Sequence, residues 1–248
     1  MKNHGEVQRQ SFALKCSCLC GLAGAVALLV GDGLLYANFA PLPAIFPFIE
    51  APLAARRVIV LASPHALLAS NLLCSLAAVL YVVGAWHVFA RFQIASDRWS
   101  KIAGVLFALA AVMSCVYHAL WSQFALIVQH ANQEGASARA VFEGALGHMR
   151  QTLNATTFVA IPLIVLMLIL VMGGRSSYPR WTAALNPFLL YGISAALLTP
   201  LANSMPTPFG ALLLSSLSEL TMAVFFAISF FTINAKAGLT SRLVTNRS

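Results

Sequence analysis

The stretch that decides the fold is residues 17–37, SCLCGLAGAVALLVGDGLLYA, an apolar run whose only charged side chain is Asp32. A helix needs about 20 predominantly apolar residues to cross the hydrocarbon core of a bilayer. A carboxylate at that depth costs roughly 2.5–3.5 kcal/mol, so an acidic residue there is expected to face a partner or a cavity rather than lipid. The run therefore predicts a membrane-spanning helix that carries a polar site.

Five further runs share this length and apolar character, and they cover residues 65–90, 102–129, 152–173, 182–202 and 209–234. The 248-residue chain is 60% hydrophobic and only 9% charged, whereas an ordinary soluble domain is roughly 25% charged. We therefore predict an all-α integral membrane bundle with six transmembrane helices. No shift in composition divides the chain, so residues 1–248 are expected to form a single transmembrane domain.

The distribution of basic residues predicts the orientation of these helices. With six spans, eleven of the fifteen Lys and Arg residues lie on the side that holds both termini. The opposite side receives the other four, Arg56, Arg57, Arg139 and Arg150. Because cytoplasmic loops carry the excess of Lys and Arg, both termini are predicted to lie in the cytoplasm. This orientation, together with attraction of the basic tails to anionic lipid head groups, accounts for the net charge of +8. We therefore expect membrane lipid, rather than nucleic acid, as the partner.

The two longer loops on the outer side, residues 38–64 and 131–151, are predicted to lie at the membrane interface. The first carries four prolines between residues 41 and 52, a density that excludes a regular helix. The second carries apolar residues at helical spacing between residues 141 and 149. A short interfacial helix capped by Ser137 is therefore expected there.

Three ionisable side chains inside the spans are predicted to meet in the outer half of the bilayer. At a rise of about 1.5 Å per residue, Asp32 and His118 lie roughly 22–24 Å from the cytoplasmic starts of the first and third spans. By the same rise, Glu219 lies about 15 Å below the outer start of the sixth span. We predict that Asp32, His118 and Glu219 form one polar pocket and, in an enzyme, its catalytic residues. The structural alternative is that each only hydrogen-bonds a neighbouring helix.

A second set of polar and aromatic side chains shares this depth and is predicted to contact a ligand in the pocket. On the third span, Ser114, His118 and Ser122 recur every four residues and form one stripe of a helix, with Trp121 beside it. The full set of predicted substrate-binding residues is Tyr36, Asn71, Ser114, Trp121, Ser122 and Asn154.

The first functional hypothesis is an intramembrane enzyme that acts on a lipid-like or small apolar molecule from the outer leaflet. Two acids and a histidine in a low-dielectric pocket can hold different protonation states, which supplies one acid and one base. A metal-dependent variant would bind a divalent ion such as zinc through Asp32, His65, His118 and Glu219. A metal-free variant would use an acid to protonate an olefin or a carbonyl. The usual hydrolase motifs, such as His-Glu-x-x-His and Gly-x-Ser-x-Gly, are absent from the sequence.

Two other classes of function remain open from the sequence. In a non-catalytic binding or proton-linked transport protein, the same residues would hold a small ligand or relay protons. Transport needs a polar path to the cytoplasmic side, and the inner halves of the first, fourth and sixth spans are almost entirely apolar. In a structural partner subunit, the polar groups would only pair helices. The alternating Cys16, Cys18 and Cys20 point in three directions on a helix, which favours packing or acylation over a metal site.

Several short motifs along the chain carry a resemblance to a known family. They are Gly31-Asp32-Gly33 with Tyr36, Gly84 with Trp86-His87, Tyr117-His118, Tyr178 with Trp181 and Asn186-Pro187, and the pairs Phe225-Phe226 and Phe230-Phe231. Together they resemble an uncharacterised family of six-span bacterial membrane proteins, a domain of unknown function. The resemblance implies a multi-pass location in the bacterial inner membrane, with Asp32 and His118 as family features. It implies no activity.

Overall fold

The computed structural model describes residues 4–39, 59, 61–93, 97–134, 138–206 and 208–245, and within these ranges the chain is helical without any strand. These described residues form six α-helices in chain order: α1 His4–Tyr36, α2 Pro64–Phe92, α3 Asp97–Glu134, α4 Ala138–Met172, α5 Pro187–Ser204 and α6 Phe209–Thr245. A 3₁₀ helix, Arg180–Leu185, lies between α4 and α5. The prediction of an all-α protein is confirmed for the described part of the chain.

Five of these helices contain segments long and apolar enough to cross a membrane. They are Ser11–Tyr36, Pro64–Phe92, Arg98–Ile127, Glu143–Met172 and Phe209–Ile233. The remaining helix, α5, has 18 residues and contains Pro200. At about 1.5 Å per residue it is roughly 27 Å long, slightly less than a hydrocarbon core of about 30 Å. The protein is therefore a multi-pass membrane protein by its helices, and the sixth span stays a prediction.

The helix boundaries follow from local sequence signals. The side chain of Ser63 accepts a hydrogen bond from the backbone N–H of Ala66, and Pro64 occupies the first turn of α2. The side chain of Asn186 accepts from the N–H groups of Phe188 and Leu189 at the start of α5. Such residues satisfy N–H groups that a helix leaves unpaired at its beginning. Beyond the end of α4, Gly174 has a φ of 67°, which glycine adopts without steric penalty.

The helices form a ring with one weakly packed seam. Helix α1 packs against α2 and α6, α2 packs against α3, α3 against α4, and α5 against α6, whereas α4 and α5 scarcely touch. Small residues permit the closest approaches: a Cβ added to Gly21 would collide with the ring of Phe226, and one added to Gly84 would lie 3.0 Å from the Cα of Gly21. The seam between α4 and α5 is the place where the ring is least closed.

The predicted outer loops differ in how much of them the structure describes. Residues 40–58 and 60 lie outside the described residues, so the interfacial prediction for 38–64 stays a prediction over most of its length. Most of residues 131–151 is helical, because α3 continues to Glu134 and α4 begins at Ala138 and runs without interruption to Met172. The expected short helix is therefore the first part of α4. Its predicted cap, Ser137, lies outside the described residues.

Candidate functional site

The three ionisable residues predicted to meet are brought together by three helices. Asp32 lies in α1, His118 in α3 and Glu219 in α6. The Nδ1 atom of His118 is 3.2 Å from Oδ1 of Asp32, and its Nε2 atom is 2.9 Å from Oε1 of Glu219. We call these residues the acid–histidine cluster. One imidazole thus bridges two carboxylates.

All three side chains are buried, with exposed fractions of 2% for Asp32, 7% for His118 and 1% for Glu219. Buried charges are stable in proteins only when they are paired and hydrogen-bonded. The imidazole provides a partner for each carboxylate, and Ser218 donates a further hydrogen bond of 2.6 Å to Oε1 of Glu219. The second oxygen of Glu219, Oε2, has no hydrogen-bond partner among the described residues. The cluster is therefore paired, yet it retains an unused acceptor.

The local sequence around Asp32 brings it close to the neighbouring helix. A Cβ added to Gly31 would lie 3.3 Å from Oγ of Ser70 in α2. That distance is tight for a side chain, so the glycine lets α1 approach α2 near Asp32. Asp32 lies one turn before the end of α1 at Tyr36. Its carboxylate faces the interior of the bundle.

A cavity of about 260 Å³ borders this cluster, and all six helices contribute to its walls. Most of its lining is apolar, with leucine, isoleucine, alanine and aromatic side chains. His118, Ser218 and Glu219 line the cavity, whereas Asp32 does not and contacts His118 from behind. A ligand in the cavity would therefore meet the imidazole, a hydroxyl and one carboxylate.

The cavity reaches the outer surface of the bundle at the seam between α4 and α5. Leu153 and Ile161 of α4 line it and are 38% and 55% exposed. Thr157 of α4 and Gly192 of α5 also line it and are exposed. Because these residues belong to the two helices that scarcely touch, the cavity opens sideways out of the bundle. In a membrane-spanning bundle, a sideways opening faces lipid.

Half of the predicted substrate-binding residues line the cavity. The three that line it are Tyr36, Ser114 and Trp121. Asn71, Ser122 and Asn154 are not among the residues that line it: Asn71 is partly buried elsewhere, Ser122 is fully buried, and Asn154 is exposed on α4. On α4, the rotation of the helix about its axis places Leu153, Thr156 and Thr157 at the cavity wall and leaves Asn154 outside it.

Sequence reasoning missed several polar residues of the cavity wall. They include Tyr81, Tyr117, Thr156, Thr157, Tyr191 and Ser218. For Ser218 a signal was available, because Ser215, Ser218, Glu219 and Met222 follow the i, i+3, i+4, i+7 spacing of one helix face. For the tyrosines, no spacing in the sequence connects one helix to the next.

The cluster offers three possible metal-ligand atoms within 4.8 Å of one another, one each from Asp32, His118 and Glu219. Three protein ligands are the usual number in a catalytic zinc site. However, the two carboxylates approach opposite nitrogens of one imidazole, and a single ion can bond to only one of these nitrogens. An ion at Nε2 and Glu219 would leave Asp32 as the carboxylate that orients the ring. His65 does not belong to this group and is exposed at the start of α2.

A second buried polar cluster lies at the other end of the bundle, about 31 Å along α2 from Ser70 by the helical rise. There, Nη2 of Arg91 donates a 2.9 Å hydrogen bond to Oγ1 of Thr232, and the guanidinium lies 4.4 Å from the ring centre of Tyr178. Arg91 is 3% exposed. Burial raises the pKa of Tyr178 to about 12, although the charge of Arg91 acts in the opposite direction. We call Arg91, Tyr178 and Thr232 the arginine cluster.

Comparison with known families gives a match over most of the chain. The model of DUF6796, a family of unknown function, matches residues 1–233. The chain belongs to DUF6796. This confirms the resemblance to an uncharacterised family that the short motifs indicated. No curated protein and no solved structure matches the chain.

Membership in DUF6796 supplies no activity, so the chemistry of the site rests on its geometry. An imidazole held between two carboxylates can exchange protons with either of them over hydrogen-bond distances. The carboxylate of Glu219 and the hydroxyl of Ser218 lie at the cavity wall. This DUF6796 chain therefore carries groups for proton transfer at the wall of an apolar, lipid-facing cavity.

Proposed function

We propose that the protein is a multi-pass membrane enzyme that performs acid–base chemistry on a lipid-like molecule. The single observation that carries this proposal is that His118 bridges two buried carboxylates at the wall of an apolar cavity. Glu219 and His118 would exchange a proton with the substrate, and Asp32 would hold the imidazole from behind. The ligand would be a membrane lipid or a small apolar molecule.

The proposed topology has six spans, with α5 as the fifth, in a bacterial inner membrane. Both termini would lie in the cytoplasm, because that orientation puts eleven of the fifteen Lys and Arg residues on the cytoplasmic side. Asp32 lies near the end of α1 that is distant from the N-terminus. In this orientation the cavity belongs to the outer half of the bilayer and opens to the outer leaflet.

Proton transfer by a positioned side chain contributes typically 10²–10⁴-fold to a rate, provided that the side chain lies within hydrogen-bond reach of the substrate. Glu219 meets the structural requirement, because it lines the cavity and keeps one oxygen without a hydrogen-bond partner among the described residues. His118 lines the cavity as well. A site that only paired helices would not need the cavity.

A proton-linked transporter would need a polar path from the cluster to the other end of the bundle. Towards that end the described residues form a buried apolar core that includes Phe92, Phe107 and Phe226. This packing favours a pocket with a single opening. The enzyme hypothesis is therefore preferred to transport.

The test uses the full chain in nanodiscs that contain phosphatidylethanolamine, phosphatidylglycerol and cardiolipin, with mass spectrometry of the lipids before and after incubation. We expect the wild-type protein to convert one lipid class. His118→Gln should reduce the rate by about 10²–10⁴-fold, the range for loss of an acid–base group. Ser216→Ala is the matched control, because Ser216 lies on α6 but does not line the cavity.

Two results would contradict this proposal. The first is that no lipid changes in the presence of wild-type protein. The second is that His118→Gln converts the lipid as fast as the wild type. Elemental analysis of the same samples separates the two chemical variants: one equivalent of a divalent metal, lost in Asp32→Asn and His118→Gln, would replace the metal-free mechanism by a metal-dependent one.

A further inference from the structure

We infer that Ser218 is a nucleophile, and that the substrate is an ester of a long-chain carboxylic acid whose acyl group is transferred to its Oγ atom. This inference rests on the proposed function, because it uses the same cavity and the same cluster. Oγ of Ser218 lies 2.6 Å from Oε1 of Glu219 and 3.3 Å from Nε2 of His118. Ser218 is only partly buried and lines the cavity.

The arrangement meets the structural requirement for an activated serine. A serine nucleophile is commonly activated by an adjacent base that takes its proton, and that base is in turn oriented by a third group. Here Glu219 accepts the hydroxyl proton, His118 holds Glu219 and Asp32 holds His118. The 2.6 Å separation lies within the short range of hydrogen bonds from a hydroxyl to a carboxylate.

The other serine and threonine hydroxyls at the cavity wall with described hydrogen bonds behave differently from Ser218. Each of them donates to a backbone carbonyl three or four residues earlier in its own helix: Thr156 to Thr152, Thr157 to Leu153, Ser215 to Leu212, and Thr221 to Ser218. This is the usual behaviour of such residues inside helices. Ser218 instead donates to the carboxylate of Glu219. Packing within the helix does not account for this choice of acceptor.

A donor for the developing oxyanion is available in the same cavity. Tyr81 lines the cavity, and its buried hydroxyl has no hydrogen-bond partner among the described residues. Buried hydroxyls are normally hydrogen-bonded, so a group left without a partner requires an explanation. A phenolic O–H can stabilise the negative oxygen of a tetrahedral intermediate. We assign this role to Tyr81.

The proposed reaction balances without an additional reactant beyond water or an alcohol. Oγ of Ser218 forms a bond to the ester carbonyl carbon, while its proton moves to Oε1 of Glu219. The bond between that carbon and the ester oxygen then breaks, and the alcohol leaves with the proton from Glu219. A water or a second alcohol next attacks the acyl carbon and gives its proton to Glu219. The bond to Oγ breaks, and Ser218 recovers its proton.

The shape of the cavity indicates the substrate class. Its walls follow α4 from Leu153 to Ile164 and α6 from Leu214 to Met222. At about 1.5 Å per residue these walls are roughly 16 Å and 12 Å long. Ser218 lies in the middle of the α6 wall, so an apolar chain along the cavity would present an ester to its Oγ. The sideways opening between α4 and α5 would admit such a chain from the bilayer.

The test is covalent labelling of the full chain in nanodiscs with a decyl fluorophosphonate that carries an alkyne, followed by mass spectrometry of the labelled peptide. We expect phosphonylation of Ser218 in the wild-type protein and none in Ser218→Ala. Glu219→Gln, which keeps the shape of the side chain, should reduce the labelling rate at least about tenfold. Tyr81→Phe should also slow labelling, because negative charge develops on the phosphoryl oxygen of the probe as it does on the carbonyl oxygen of an ester. Ser216→Ala is the control and should label like the wild type.

Two results would overturn the inference: a folded wild-type protein that is not labelled at Ser218, or equal labelling rates in Glu219→Gln and the wild type. Size-exclusion chromatography and thermal unfolding of each variant show whether it is folded. The lipid-conversion assay separates this inference from the proposed function. Conversion that needs His118 but survives Ser218→Ala would overturn the nucleophile and leave the acid–base site. Labelling of Ser218 without any lipid conversion would overturn the proposed lipid substrate and leave the nucleophile.

Discussion

The acid–histidine cluster and the arginine cluster both bury charged side chains in the same bundle, and they differ in what surrounds them. Glu219 and His118 line a cavity of about 260 Å³. Arg91 is instead covered on one side by the ring of Tyr178 and hydrogen-bonded to Thr232. The backbone N–H of Ser177 also donates to the carbonyl of Arg91, which fixes the chain between α4 and α5 to the end of α2. One cluster is open to a ligand, and the other is filled by the protein itself.

This difference gives a criterion that distinguishes a binding site from a structural contact in a membrane bundle. Burying a charge is unfavourable at both places and is offset by local partners at both. A buried polar group that borders empty space keeps hydrogen-bonding capacity for another molecule. A buried polar group that is packed on all sides ties helices together. Mutations at the two clusters should therefore affect different properties.

The largest expected effect is on the activity of the acid–histidine cluster. Asp32→Asn should lower kcat by about 10²-fold, or about 2.7 kcal/mol, and leave KM nearly unchanged, because Asp32 positions His118 without lining the cavity. The unfolding free energy should change little, since an amide oxygen can still accept a hydrogen bond from Nδ1. Lipid conversion and chemical unfolding, measured on the same preparation, check both statements. A parallel loss of stability would make Asp32 a structural residue.

The next effect in size is on stability at the arginine cluster. Arg91→Ala should reduce the unfolding free energy by about 2–3 kcal/mol, because it removes a hydrogen bond from a charged group, a cation–π contact and buried packing. Its kcat per folded molecule should stay at the wild-type value. The matched control is Arg98→Ala, since Arg98 is exposed at the start of α3, and such surface changes stay within about 0.5 kcal/mol. Equal unfolding free energies for the two variants would contradict a structural role for Arg91.

Much of the fold and the core of the site could be predicted from the sequence, and the reason is the membrane itself. A bilayer fixes the length of each apolar run, so the sequence predicts six spans, and five of them correspond to described helices long and apolar enough to cross a membrane. It also fixes depth, so counting residues along each run places Asp32, His118 and Glu219 in the outer half of the bilayer. The prediction for α5 was less secure, because its 18 residues make a short span.

Helix rotation and detailed packing could not be predicted in the same way. On α3, Trp121 lines the cavity and its neighbour Ser122 does not. Rotation is fixed by contacts between distant segments, such as the approach of Gly21 to Phe226, and no single apolar run contains that information. The second predicted span ends at residue 90 and leaves out Arg91, yet Arg91 is buried in the last turn of α2. Its aromatic partner, Tyr178, lies 87 positions further along the sequence.

The smallest expected effect comes from narrowing the mouth of the cavity with one larger side chain. A Cβ added to Gly192 meets nothing within 4 Å, and Gly192 lines the cavity beside the seam. Gly192→Leu should therefore narrow the entrance without a clash and reduce lipid conversion by about tenfold, or about 1.4 kcal/mol. Gly144→Leu is the control, because Gly144 on α4 is also exposed, has open space around it and does not line the cavity.

The most direct measurement is the access of lipid chains to Trp121, which lines the cavity and is only 3% exposed. Replacing Trp86, Trp99 and Trp181 by phenylalanine leaves Trp121 as the only tryptophan, so its fluorescence can be measured alone. In nanodiscs with brominated acyl chains, we expect strong quenching of Trp121 fluorescence when residue 192 is the native glycine. The Gly192→Leu variant should show at most half of that quenching, and the Gly144→Leu variant should show all of it. Trp121 emission equal in brominated and ordinary nanodiscs would contradict a lipid-accessible cavity.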